Sequence, residues 1–157
     1  GAEAVLRNLS TSYKLGVAAN KPKICRKALA TAGLLDYFSV VEISAERNLS
    51  KPDPRFFKGL LAEADCMPAE AIMIGDRIDN DIAPAKGLGM HSIWFDLDPV
   101  AHGSVAISDR EKVFIDSLSR VPSRGTGHPG EEIAPDATVT SLAQILDAIE
   151  RIPHDRD

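Results

Sequence analysis

Three aspartates fall within six residues, in the run Gly75-Asp76-Arg77-Ile78-Asp79-Asn80-Asp81. Carboxylates crowded in this way repel one another unless a cation stands among them. Mg²⁺ suits such a group, because it takes one or two carboxylate oxygens and keeps several waters. An EF-hand is excluded: Ile78 holds the third loop position and Gly87 the twelfth, where Asp or Asn and Glu belong. A second charged group stands upstream in Ser50-Lys51-Pro52-Asp53-Pro54. Pro52 biases Lys51 toward extended backbone and so helps to fix where its compact positive charge points. Each feature alone has a plain reading, a hydrated turn with capping aspartates and a solvated lysine. The balance shifts with what precedes the aspartates. Residues 71–75 are a continuous apolar run ending in Gly75, the pattern of a parallel strand buried on both faces. Ligand sites in open parallel sheets lie beyond the carboxyl ends of such strands.

The elements that must position these groups alternate between short apolar runs and helical periods. Residues 2–9 read as a helix with no cap before it, 15–19 as a short buried strand ending at Asn20, and 22–32 as a helix with Pro22 in its first turn. Gly33 is expected to end that helix in a left-handed conformation. A strand over 38–43 follows, then the extended 51–54 stretch and a helix over 56–64. After the acidic loop, 82–88 read as a helix closed by Gly89, and 91–95 as a strand with Trp94 and Phe95 in the core. Strands and helices alternating at this pace predict a parallel sheet with crossover helices, an α/β fold. From about 97 to 135 the periodicity dissolves. Within that stretch Ser108-Asp109-Arg110-Glu111 has capping-box spacing and predicts a helix to Leu118, and 121–130 reads as a surface loop. Order returns with a strand at 137–139, and Ser141 with Gln144 caps a final amphipathic helix to Ile152.

The stretch 72–82, followed by Ala85 and Gly87-Leu88-Gly89-Met90, resembles the fourth motif of the haloacid dehalogenase superfamily, GDxxxxD. Ser50-Lys51-Pro52-Asp53-Pro54 with Phe56-Phe57 is similar to its third motif, and Gly16-Val17-Ala18-Ala19-Asn20-Lys21-Pro22 to its second. The resemblance implies a three-layer α/β/α Rossmann-like core and Mg²⁺-dependent hydrolysis of small phosphate monoesters. It implies Asp76 and Asp81 as the metal-site residues, with Asp81 also a catalytic brace that either meets metal-bound water or pairs with Lys51. Lys51 and Asn20 would hold phosphate, Lys51 neutralising charge during transfer. Ala19 occupies the place where the second motif carries a hydroxyl. Residues 1–14 contain no aspartate, so the first motif, with its nucleophilic carboxylate on the sheet's central strand, is expected to be absent, as is a cap. The chain then reads as a single incomplete core domain over 1–157, with an insert at about 97–135. Its open sheet would favour a strand-donating partner or a homo-oligomer. The alternative is a non-catalytic relative that binds a partner through that edge.

Composition agrees with a globular chain. Of 157 residues, 44% are hydrophobic and 26% charged, enough for one core. The net charge of −5 argues against a nucleic-acid partner held by backbone charge. No apolar run has membrane-spanning length. Cys25 and Cys66 lack metal or redox spacing, which predicts a reduced, cytoplasmic setting. The four histidines have no zinc spacing.

Overall fold

The computed structural model describes residues 1–96 and 133–153. Its elements are α1 Ala2–Leu9, β1 Gly16–Ala19, α2 Ile24–Thr31, β2 Val40–Ile43, α3 Ser44–Arg47, α4 Pro54–Ala64, β3 Ile72–Gly75, α5 Ala83–Gly87, β4 His91–Phe95, β5 Ala137–Val139 and α6 Gln144–Arg151. A single turn of π-helix, Ile78–Ile82, joins β3 to α5. The helix expected to end at Leu118 and the loop at 121–130 lie outside the described residues.

Most elements stand where periodicity places them, and the differences have local causes. Helix α4 starts at Pro54 rather than Phe56, because Asp53 caps it: its carboxylate accepts the Arg55 N–H at 2.9 Å. The 51–53 stretch is a turn rather than an extended run, with a cis Lys51–Pro52 bond and the Asp53 N–H donating to the Ser50 carbonyl at 3.0 Å. At α6 one half of the expected capping pair forms. Instead of the Ser141 hydroxyl, the Gln144 side chain reaches back to accept the N–H groups of Thr140 and Ser141, at 2.8 and 3.2 Å. Gly33 is left-handed, φ +69°, as its position after α2 requires.

All strand pairs are parallel. β1 lies beside β2, with Gly16 opposite Val40 and Ala19 opposite Ile43. β4 lies between β3 and β5. Among the described residues no ladder joins β1 to β3, so the sheet consists of a two-stranded and a three-stranded part, each with an unpaired edge. Two cores hold the parts together. On one face α1 and α6 bury Leu9, Ile145, Ala148 and Ile149 against Ile93 and Val139, with Leu15, Ile72 and Ile74 packed alongside. On the other, α4 and α5 bury Phe56, Phe57, Leu61 and Ala85 against Met73, with Ala18 alongside. β3 therefore sends Ile72 and Ile74 one way and Met73 the other, which is why its sequence is apolar without alternation. Helices on both faces of a parallel sheet make this an α/β/α architecture.

Candidate functional site

Lys51, Asp81 and Asn20 meet where β1 and β3 end. The Lys51 amine donates to Asp81 Oδ1 at 2.6 Å, and both groups are out of solvent, 9% and 2% exposed. The Asn20 amide grips the lysine from behind. Its Nδ2 donates to the Lys51 carbonyl at 2.8 Å, and its Oδ1 accepts the Lys51 N–H at 2.9 Å. This reciprocal pair resembles one rung of a strand ladder. It fixes the lysine backbone, while Phe56 and Phe57, packed edge to face with ring centroids 6.1 Å apart, anchor α4 just downstream. The sequence around Lys51 thus has a division of labour: Asn20 holds the backbone, Asp53 starts the helix, and the phenylalanines bind it to the core.

Asp81 is held from two sides. Its Oδ1 takes Lys51, and its Oδ2 accepts the Arg77 N–H at 3.1 Å. The π-turn produces this geometry, since the N–H groups of Asp81 and Ile82 both donate to the Arg77 carbonyl, at 2.9 and 3.2 Å. The carboxylate lies directly over Gly75. A Cβ on Gly75 would stand only 2.6 Å from Asp81 Cγ and Oδ2, so no larger residue fits there without displacement. Gly75 is present for close approach, not for a special φ.

Asp76 differs from its neighbours. It is exposed, and its carboxylate makes no hydrogen bond or ion pair among the described residues. Its carbonyl is pinned by Trp94, whose Nε1–H donates to it at 3.0 Å. Asp79 is clamped by Arg77, with Nε to Oδ1 at 3.1 Å and Nη2 to Oδ2 at 2.7 Å. These hydrogen bonds hold the Asp79 carboxyl below the usual aspartate range. As donors for Mg²⁺ the three aspartates are therefore unequal. Asp76 offers a hard, free oxygen pair at a strand's carboxyl end and fits the ion. Asp81 has one hydrogen bond on each oxygen, from the Lys51 amine and the Arg77 N–H, so the lysine pairing is the alternative its geometry favours. Among the described residues no three His, Cys, Asp or Glu side chains form a ready-made metal cluster.

Two contributors escape sequence reasoning. Trp94, expected in the core, belongs to neither buried cluster and instead holds the Asp76 loop. The signal was present, for an indole N–H near a strand end needs an acceptor. Arg77 carried no sign of its fork to Asp79 beyond their spacing. Of the basic residues near Asn20, Arg26 ties α2 to the Glu46 carboxylate at 2.7 Å and to the Val41 carbonyl at 2.8 Å, a structural tether.

The family model for haloacid dehalogenase-like hydrolases matches residues 1–95, more than half of the chain. The chain belongs to the haloacid dehalogenase-like hydrolase family. The matched residues hold Asn20, Lys51, Asp76 and Asp81 together. The phosphoserine phosphatase of Thermus thermophilus is 36% identical over 99 residues, covering 60% of this chain and 40% of the relative. The glyceraldehyde 3-phosphate phosphatase of Pyrococcus furiosus is 31% identical over 150 residues, 95% of this chain and 52% of the relative. A crystal structure of a HAD phosphatase from Thermococcus onnurineus superposes with a TM-score of 0.68 at 28% identity, covering 96% of this chain and 57% of that one. The chain spans about half the length of the curated relatives it matches. No helix among the described residues of this hydrolase-family chain is long and apolar enough to cross a membrane.

Proposed function

We propose that this chain carries the lysine- and cation-bearing half of a site that hydrolyses small phosphate monoesters. The observation that carries the reading is Lys51, held by Asn20 and paired with a buried Asp81 beside the free carboxylate of Asp76. A fixed ammonium at a phosphate site stabilises the charge that develops on the transferring oxygens, and fixing it in advance avoids reorganisation during the reaction. Asp81 sets the direction of that ammonium, and Asn20 sets the backbone from which it projects. Asp76 is the residue that would hold Mg²⁺, which when bound supplies further positive charge to the phosphate oxygens. The names of the two phosphatase relatives support a small phosphorylated substrate. We place such an enzyme in the cytoplasm and assign it no nucleic-acid or membrane partner.

Covalent phosphoryl transfer also needs a nucleophilic carboxylate. Asp81 is committed to Lys51 and Arg77 and cannot serve. The unpaired edges of β1 and β3 are where a further strand would bring one in, from a longer polypeptide or a partner. Those same edges, with Ala19 at the hydroxyl position, favour the second reading, a non-catalytic chain that docks a partner strand. Phosphate release from phosphoserine, glyceraldehyde 3-phosphate and an aryl phosphate separates the two. The enzyme reading expects Mg²⁺-dependent turnover that Lys51→Ala and Asp76→Asn each reduce at least about 100-fold. Turnover indifferent to both substitutions would sink it.

A further inference from the structure

The acidic loop carries its own counter-cation. Asp76, Asp79 and Asp81 bring three negative charges, and two positive ones are folded in among them, Lys51 on Asp81 and Arg77 on Asp79. The Arg77 fork uses both oxygens of Asp79, the planar two-point geometry that makes a guanidinium a strong partner for a carboxylate. It is held beside Asp76, because Arg77 is the next residue and its own N–H is fastened to Asp81. Arg77 and Asp79 are partly exposed, with side chains 31% and 42% accessible, so the fork opens without unpacking the core. A divalent ion approaching Asp76 finds one free carboxylate, while that of Asp79, three residues on, is occupied by Arg77.

We infer that Arg77 is a positioning residue that keeps Asp79 out of the cation site and so limits the loop to a single carboxylate ligand, Asp76. This deepens the proposed function and rests on its reading of Asp76. The consequence runs against the usual effect of mutating a site residue. Removing Arg77 should tighten cation binding, because it frees a second hard oxygen donor of the kind Mg²⁺ accepts and removes a repelling charge.

The test is direct binding, without substrate. Free Mn²⁺ is followed by electron paramagnetic resonance as the full chain is titrated, and Mg²⁺ by calorimetry. Arg77→Gln should bind Mn²⁺ about tenfold tighter than the parent, in the range by which neighbouring groups tune metal sites. In Arg77→Gln/Asp79→Asn the gain should vanish. A gain that persists in the double variant comes from charge alone and overturns the role given to Asp79. Binding unchanged or weaker in Arg77→Gln overturns the inference outright. Arg77→Lys keeps the charge and the backbone N–H while losing the fork. It should gain affinity by a smaller factor, about threefold, and if Arg77→Gln fails to fold, an Arg77→Lys without gain overturns the inference in its place. Asp76→Asn in the parent separates the two levels. If it leaves Mn²⁺ binding intact, the assignment of Asp76 fails. If it abolishes binding while Arg77→Gln changes nothing, only the inference about Arg77 fails.

Discussion

Cutting the Lys51–Asp81 pair from either end probes whether its burial is as costly as its geometry implies. The two groups lie 2.6 Å apart and are 9% and 2% exposed, so neither charge has water to turn to when its partner is removed. Asp81→Asn keeps the shape and an oxygen for the Arg77 N–H, but leaves the ammonium without a counter-charge. Lys51→Met removes the amine and leaves Asp81 with only the Arg77 N–H on Oδ2. Each single variant should lose about 3–5 kcal/mol, the range for stranding one member of a buried ion pair. The double variant Lys51→Met/Asp81→Asn strands no charge, and its loss should fall short of the sum by about 2 kcal/mol or more. Urea unfolding followed by circular dichroism measures all four proteins. Repeating it at about 0.1 and 1 M salt adds a control, since a buried pair is screened far less than an exposed one. Losses below about 1 kcal/mol that simply add and fade with salt are the behaviour of a surface pair. That outcome would refute the view of Asp81 as a buried brace for Lys51.

Other perturbations follow from single contacts. Gly75→Ala places a methyl against Asp81 and should cost about 1–3 kcal/mol in urea unfolding; a neutral effect would mean that Asp81 does not lie over the strand end. Asn20→Ala removes both hydrogen bonds to the Lys51 backbone, at a cost of about 1–3 kcal/mol, and should depress phosphate release more than Mn²⁺ binding, which depends on Asp76 instead. For Asp53, the Arg55 guanidinium and N–H hold the carboxyl at about 2, below the ordinary value of about 3.9. Its contribution to α4 is thus present above about pH 4 and lost as pH falls through about 2, so the melting temperature of Asp53→Ala should lie below the parent at neutral pH and converge with it in that acid window. Hydrogen exchange reads the sheet: amides of β4, paired on both sides, should be better protected than those of β1 and β3, and equal protection would show that the open edges are covered in solution.

Local pattern made much of this legible. Residues 71–75 announce a strand buried on two faces because no polar residue interrupts them, and the structure uses both faces, Met73 on one and Ile72 and Ile74 on the other. Gly33 stands two residues beyond the end of α2, just after the cap residue Ala32, where the left-handed conformation is needed. What could not be read were contacts whose partners are distant in sequence or whose geometry arises only after folding. Trp94 meets the Asp76 carbonyl across the β3–β4 pair, 18 residues away. The resemblance to the second motif assigns Asn20 to phosphate; that it also grips the Lys51 backbone, 31 residues on, is a contact no local pattern carries. The turn at 51–53 was not legible from the preference of the residue before proline, because that preference concerns one residue and the turn is closed by the Asp53 N–H and held by Asn20.

The same residues that would act on a phosphate also connect the two parts of the sheet. β1 and β3 share no backbone hydrogen bonds among the described residues, yet the strand ends are joined through side chains, from Asn20 to Lys51 and from Lys51 to Asp81. A relay of this kind fixes the ammonium relative to both strands at once, although no ladder joins those strands among the described residues. An unpaired N–H or C=O is tolerated only while water or another chain satisfies it. The charge follows the same logic: two of the loop's three carboxylates are paired with cations of the protein, which leaves Asp76 as the loop position where an external ion would displace no residue. The end of β3 thus brings together an edge strand, the exposed Asp76 carboxylate and the Lys51–Asp81 pair.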